Sequence, residues 1–545
     1  MTDQLVQTAV EWDAVAKPSV GWLEPPTSIA RRPSVGLEPP TSAEKYLYLD
    51  GAQHRWLPAV SALASLGVAF SLFGLAIESY WTIVFLVPLV LLLLEQVAAT
   101  RTSTFRRRVT MPDHLATVEL WRPHEYPSVD IFLPSAGENI DVLANTFDYV
   151  GQLHWPGELR VYVLDDKGSP EVQALAEYHD YSYLARPSHE FKKAGNLQYA
   201  YERSSGDHIV IFDADFVPRD DFLHELLPYM DDESTGIVQS PQFFSTKRSM
   251  GWLERAAGST QEMFFRFIQP SRDAVGAAIC VGTSAVYRRK ALNAIGGFPL
   301  IGHSEDVFTG VLMHRKNYRL QYVPAVLSRG QCPDSLHQFI SQQYRWAEGS
   351  LALLNDPAFH TERSMTFNQR LSFWAGFLYY ITTAMNALLA PVALLVMAFF
   401  FPQNIQPINM LPLLGVVLLW TAVMPFVSRT HWRFEVLRVQ TIYGFAHLFC
   451  IMDSIKGKMS QWIPTGATVH TPLGERVRRT MIWYLSASQA LLLVGLTTGA
   501  LRYGLDSYWA NFVLVPLSLY VYLPLIALSV RSGPRTSQKY AGASA

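Results

Sequence analysis

The amino-acid sequence predicts a mostly parallel, helix-covered α/β domain inserted between membrane-spanning helices. Apolar runs without a formal charge lie at 57–76 and 81–94, and again at 409–428, 480–500 and 508–530. Between them the pattern changes to short β-branched runs separated by segments of helical periodicity, the alternation that builds parallel sheets covered by helices. Three of the short runs end in polar signatures: "PSAGE" (134–138), "DDKG" (165–168) and "DAD" (213–215). Ligands of such sheets bind beyond the carboxyl ends of the strands, so chemistry is expected where these ends converge.

Composition narrows the class. Of 545 residues only 17% are charged, below the quarter usual for soluble domains, and the formal net charge is −2. Nucleic-acid binding wants a strongly basic domain, so no nucleic-acid partner is expected. Cys280, Cys332 and Cys450 are far apart in the sequence, which suits a reducing compartment and argues against a disulfide framework or a structural zinc site. Residues 1–50 read as a polar, Pro-rich disordered tail without a secretory leader. Within it "KPSVGWLEPPTS" (17–28) returns as "RPSVGLEPPTS" (32–42). Two copies are too few for a repeat fold, and a short docking motif used twice is the other reading.

Each apolar run approaches the roughly 20 residues that cross a bilayer. The uncharged stretch 371–401 is too long for one simple span and too short for two. It reads as an interfacial helix feeding a span from about Thr382, with Pro391 kinking it. The total is about six spans plus interfacial helices. The loops expected outside (77–80, 401–408 and 502–507) hold one Arg between them, whereas 101–109, 429–479 and 531–539 are rich in Arg and Lys. The positive-inside bias therefore places both termini and the segment 101–370 in the cytoplasm of a multi-pass plasma (inner) membrane protein. Segment 441–455 carries Asp453 and flanking basic residues and reads as interfacial.

Within the cytoplasmic segment, strands are predicted at 128–134, 159–166, 208–215, 235–241 and 277–282, and helices over 139–153 and 168–179. Asp213 and Asp215 stand at a strand end two residues apart, so both can face one site. Two carboxylates there suit a hard divalent cation that keeps waters and bridges phosphates, as Mg²⁺ does; a plain turn is the competing reading. Asp165 and Asp166 can accept hydrogen bonds from a nucleobase or ribose. Lys193 precedes Gly195, Asn196 and a helix start, an arrangement that binds phosphate. Glu305 and Asp306 stand at a helix N-terminus, where capping by Ser304 is the structural alternative. Gln342, Arg345 and Trp346 supply an amide, a fixed cation and a flat aromatic face suited to a sugar ring.

In this order and between membrane spans, "DDKG", "KAGN" (193–196), "DAD", "SED" (304–306) and "QQYRW" (342–346) resemble the signature of the processive family 2 glycosyltransferases. These form the cellulose synthase-like group, the bacterial cellulose and β-glucan synthase catalytic subunits. The resemblance covers about residues 128–350 and the spans on both sides. It implies a GT-A (Rossmann-like) fold and inverting transfer from a UDP-sugar, UDP-glucose first, to the non-reducing end of a growing polysaccharide threaded outward through the spans. It implies Mg²⁺ or Mn²⁺ as cofactor, and leaves open envelope partner proteins or a homo-oligomer. By the same resemblance Pro134, Ser135, Glu138, Asp165 and Asp166 would hold the uridine. Lys193 and a metal at Asp215, with Asp213 beside it, would hold the diphosphate. Asp306, next to Glu305, would be the general base. Gln342, Arg345 and Trp346 would hold the pyrophosphate and the acceptor sugar.

The sequence also departs from that signature. "PSAGE" stands where many members carry Tyr-Asn-Glu, "DDKG" inserts Lys167, and "SED" replaces Thr with Ser. "KMSQWIPTGAT" (458–468) occupies the place of a gating loop, with Trp462 and Thr465 as candidate nucleotide contacts. The tail 531–545 leaves no room for a PilZ domain, so activation by cyclic-di-GMP is not expected. The alternatives are transfer of one sugar to a lipid acceptor, a chitin or hyaluronan synthase-like enzyme using UDP-GlcNAc, and a membrane scaffold with a dead transferase domain. The expected organisation is tail (1–50), spans one and two (51–100), cytoplasmic domain (101–365), interfacial helix with spans three and four (366–430), interfacial helix and gating loop (431–479), spans five and six (480–530) and a cytoplasmic tail (531–545).

Overall fold

The computed structural model describes residues 36–49, 54, 56–103, 107–244, 246–302, 304–404, 406–429, 434–457, 471–505 and 514–533. The candidate gating loop 458–468 and the first copy of the repeated motif lie outside the described residues.

Among the described residues nine strands form: β1 (Val129–Ser135), β2 (Leu159–Asp165), β3 (Ser182–Ala185), β4 (His208–Ile211), β5 (Phe216–Pro218), β6 (Thr235–Gln239), β7 (Ala285–Arg288), β8 (Arg319–Tyr322) and β9 (Ser328–Gly330). Seven make one sheet in the order β3-β2-β1-β4-β7-β6-β8, and β5 pairs with β9. Only β7 runs against its neighbours in the large sheet. Side chains alternate across the pleat, and β1 places apolar residues on both faces. Val129, Ile131 and Leu133 pack on Leu143, Phe147 and Val150 of the helix Ile140–Val150. Phe132 faces the other way, onto Leu197 and Ala200 of the helix Lys192–Tyr201. Pro134 falls beyond the last β1–β4 pair, Phe132 with Ile211, so its missing N–H costs no ladder bond.

One predicted strand is absent. Residues 277–282 are not a strand because glutamine side chains take the backbone groups a neighbouring strand would use. Gln269 bonds both Ile279 N–H and its carbonyl, Gln239 Oε1 accepts from Val281 N–H, and Gln242 Nε2 donates to Val281 O. The strand that pairs there is β7, three residues further on.

The described end of the expected tail is part of the domain. Residues 36–49 run along it: Asn145 donates to Leu37 O at 3.1 Å, Arg219 to Pro40 O at 2.6 Å and Val326 N–H to Lys45 O at 2.7 Å. Tyr48 and Leu49 are buried in its cores. Lys45 reaches Asp221 at 2.7 Å and pairs with Glu225, which also takes the buried His114 ring at 2.7 Å.

Among the described residues five helices are long and apolar enough to cross a membrane: Leu57–Ile77, Thr82–Thr102, Phe367–Phe400, Ile408–Val427 and Pro472–Tyr503. The sixth expected span corresponds to a shorter apolar helix, Val515–Arg531. The expected interfacial helix and third span are one helix of 34 residues, started by a Thr366–Gln369 capping box and continuing through Pro391. Segment 441–455 lies in the helix Glu435–Ile455, which protein covers on most sides. That helix shares one core with the helix Leu336–Leu354 and with Val477, Met481 and Leu485.

Lys45→Met leaves Glu225 and Asp221 one cation short beneath the domain. Breaking a buried pair this way costs about 3 kcal/mol, and denaturant unfolding of the purified protein is expected to show a loss of that order. A change near zero would mean that Lys45 contributes only packing.

Candidate active site

The strand register decides which side chains meet. Ser135 lies opposite Asp165, so the ends of β1 and β2 coincide, and Asp166 N–H donates to Ser135 O at 2.9 Å. β4 stops at Ile211 opposite Ala285, and Ser284 N–H bonds Ile211 O at 2.8 Å. The segment entering β7 therefore runs beside Asp213, whose N–H donates to the Thr283 hydroxyl at 2.9 Å. Lys193 Nζ crosses this seam, 2.5 Å from Asp213 Oδ1 and 3.0 Å from Gly282 O. On its other side Gly282 makes room for Asp306: a Cβ there would lie 2.9 Å from Asp306 Oδ2. Gly282 adopts φ +76°, so a glycine is needed for conformation as well as space.

Asp306 sits in the first turn of the helix Glu305–Arg315, with its Oδ1 accepting from Val307 N–H at 2.8 Å. The preceding Ser304 is left-handed at φ +49° and presses on Gly349, where a Cβ would lie 1.8 Å from its hydroxyl. Gly349 belongs to the helix Leu336–Leu354, which carries Gln342, Arg345 and Trp346 three and four residues apart, hence on one face. Other residues of this helix (Leu336, Phe339, Ile340, Tyr344) are buried in the core shared with the membrane helices. Asp213, Asp215 and Glu305 all act on Arg345 electrostatically, so the last motif faces the first carboxylates.

Five carboxylates thus share one region: Glu138, Asp213, Asp215, Glu305 and Asp306. They face Lys193, Arg345 and, at the Glu138 end, Lys167. The result is an excess of buried negative charge. Burial, and then repulsion by Asp213, push the Asp215 carboxyl up to about 7, with Glu138 adding to the effect. Burial and then Glu305 push Asp306 up to about 7. Glu305 and Glu138 are raised as well, chiefly by burial. Burial alone would lower the Lys193 ammonium, but Asp213, Glu305 and Asp306 outweigh it and hold the group above its ordinary range.

The two carboxylates of "DDKG" part company. Asp165 is buried and spent on its own loop, accepting from Lys167 N–H at 2.9 Å, Ser169 N–H at 2.6 Å and the Tyr183 hydroxyl at 2.9 Å. It braces the turn. Asp166 lies nearer the surface and accepts from Arg186 Nε at 2.5 Å. Pro134 and Ser135 are buried in β1, and the Ser135 hydroxyl has no hydrogen-bond partner among the described residues. Glu138 accepts from Ala136 N–H at 2.6 Å. Lys167, the inserted residue, lies over Gly137, at φ +102° and with a side chain's space filled by the lysine.

Residues the motifs do not name complete the geometry: Arg186, Gly282, Thr283 and Gly349. Gly349 is the one with a sequence signal, because a glycine inside a helical pattern costs about 1 kcal/mol and marks a close approach.

Residues 208–432 match the family model described as glycosyl transferase family group 2. Cellulose synthase 1 of Komagataeibacter xylinus is 32% identical over 305 residues, which are 54% of this chain and 19% of that protein. The cellulose synthase catalytic subunit (UDP-forming) of Pseudomonas fluorescens strain SBW25 is 26% identical over 441 residues, 76% of this chain and 59% of the relative. The chain therefore spans well under two thirds of the length of these curated relatives. Among solved structures, the mannosyltransferase of Pyrobaculum calidifontis in complex with GDP-Man and Mn²⁺ covers 73% of this chain and all of its own, with 18% identity and a TM-score of 0.48. Residues 208–432 thus match a glycosyl transferase family group 2 domain, and over about half of its length the chain is similar to cellulose synthases.

Proposed function

We propose that the protein is a membrane-embedded, processive, inverting glycosyltransferase that polymerises a UDP-sugar, UDP-glucose first, into a β-glucan and passes it through its apolar helices. One observation carries the reading. A carboxylate pushed up to about 7, Asp306, stands on one glycine with the phosphate-type lysine, Lys193, at the rim of the sheet. A base of that strength at that place suits proton removal from a sugar hydroxyl near neutral pH. The acceptor oxygen attacks the anomeric carbon from the face opposite the nucleotide. The bond to the diphosphate breaks, UDP leaves with the electron pair, and Asp306 receives the acceptor's proton.

The other residues bind and orient. Lys193 and Arg345 offer positive charge to the departing diphosphate. On this reading Asp166 and Glu138 would serve the nucleoside, and Gln342 and Trp346 the acceptor. Asp165 is better read as the brace of this loop than as a nucleotide contact, since three donors already occupy it. The carboxylates of Asp215 and Asp213 fit a divalent cation, because the site holds surplus negative charge, and burial followed by repulsion from Asp213 pushes the Asp215 carboxyl up to about 7. Among the described residues no three His, Cys, Asp or Glu side chains form a metal cage, so substrate oxygens and water would complete its shell. Such a cation supplies further charge neutralisation to the diphosphate when bound. The cytoplasmic orientation of the α/β domain and both termini follows from the distribution of Arg and Lys and belongs to this proposal.

Incubating the purified protein with UDP-glucose, UDP-GlcNAc and Mn²⁺ tests the reading. UDP release with a β-linked polymer from UDP-glucose is expected; a single-sugar lipid product, or no UDP release, overturns it. Asp306→Asn is expected to abolish release, and the wild-type rate is expected to climb with pH through about 7.

The same group leaves a mark on stability. Its folded-state value lies above that of an unfolded aspartate, so its ionisation opposes folding, and stability is lost as pH rises from about 4 towards 7. Asp306→Asn removes this opposition. The variant is expected to raise the thermal unfolding midpoint more at about pH 8 than at about pH 5. Equal shifts at both would show that Asp306 is not the group titrating.

A further inference from the structure

We infer that Arg186 is the positioning residue that aims Lys193, by clamping the backbone turn immediately before it; the inference rests on the nucleotide-sugar reading above. Arg186 follows β3 at the sheet edge and is only 9% exposed. Each of its guanidinium nitrogens has one job. Nε donates to Asp166 Oδ1 at 2.5 Å, Nη1 to Glu190 O at 2.5 Å and Nη2 to Lys192 O at 2.9 Å.

The two carbonyls flank an unusual turn. Phe191 and Lys192 are both left-handed, at φ +58° and +51°, and neither is a glycine. Two adjacent side-chain-bearing residues keep that conformation only when their surroundings over-determine it. The guanidinium fork is the group that grips both ends. The next residue is Lys193, which must cross to Asp213 and Gly282. Gly195 belongs to the same device. A Cβ at that position would lie 2.3 Å from Arg186 Nη1 and 2.3 Å from Glu190 O, so this glycine leaves room for the fork. Asp166, the fourth element, is tied by its own N–H to Ser135 O at 2.9 Å, which anchors the clamp to the end of β1. A lysine cannot substitute here, because its three protons sit on one nitrogen and cannot reach three acceptors spread around a planar fork.

A positioning role and a merely structural one part in a double-mutant cycle on UDP binding, measured by calorimetry on the purified full chain with Mn²⁺. Lys193→Met is expected to weaken UDP binding by about tenfold or more in the wild-type background, and Arg186→Gln and Arg186→Lys each by a comparable factor. In the Arg186→Gln background, Lys193→Met is expected to cost little more, because the lysine there is no longer aimed. Gly195→Ala keeps the guanidinium but displaces it, and is expected to behave as Arg186→Gln does, which preserves the test if that variant fails to fold. Multiplicative losses in the double variant, or unchanged UDP affinity in Arg186→Gln, overturn the inference alone. Wild-type protein that binds no UDP overturns the nucleotide-sugar reading and this inference with it.

Discussion

Everything at the carboxyl end of the sheet depends on one ion pair, Lys193 with Asp213. It is the contact that allows five carboxylates to be gathered against a buried sheet edge. Without a cation in their midst, the desolvation cost of such a group falls on the fold, and the carboxyls would take up protons instead. The partial failure of that compensation is visible at Asp215 and Asp306, each pushed up to about 7. A protein selected for stability alone would not keep these acids here. Under the proposed function that cost is reasonable, because the site would meet a polyanionic donor and a proton to be removed.

The position of that ion pair follows from two backbones approaching each other. The β4–β7 register brings Gly282 beside Asp213, and the left-handed Ser304 brings Asp306 against Gly282. Gly349 lets Ser304 dock on the helix Leu336–Leu354. Two missing side chains thus join three separate segments. Because side chains of Leu336–Leu354 are also built into the core with Glu435–Ile455, the helix that carries part of the site is packed directly against the membrane bundle. The buried pair Arg266–Glu262 adds a second tie: Arg266 also donates to Val427 O at 2.8 Å and Glu262 accepts from Arg429 N–H, both at the end of the helix Ile408–Val427.

The strands that end in chemistry were legible because their signal is local: apolar runs of the right length, each ending in carboxylates. Four of five predicted strands and both predicted helices form. The run 277–282 misled because it has the composition of a strand, while its backbone partners are the side chains of Gln239, Gln242 and Gln269, distant in sequence. Residues 36–49 misled in the opposite sense. They are polar and Pro-rich, and residues distant in sequence, among them Arg219, Asn145, Glu225 and Val326, give them a place. The pair Asp165–Asp166 could not be divided from sequence, since neighbouring strand residues point to opposite faces and the register alone decides which turns inward. Arg186 was invisible for a simpler reason: nothing local distinguishes an arginine that holds two carbonyls from one that holds none.

Asp213 and Asp215 invite the same question of divided labour, and here the geometry separates them. Asp213 is committed twice, by its N–H to Thr283 and by its carboxylate to Lys193. Asp215 is held through its backbone, with its carbonyl accepting from Gln331 N–H at 3.2 Å, while its carboxyl carries the repulsion of Asp213 and Glu138. Under the proposed function Asp215, whose carboxyl has no cation partner at hydrogen-bond distance among the described residues, would be the readier metal ligand. Asp213 would turn to a metal only as Lys193 turned to a diphosphate. A donor that brings both the phosphates and the cation would exchange one ion pair for two, without requiring the sheet to move.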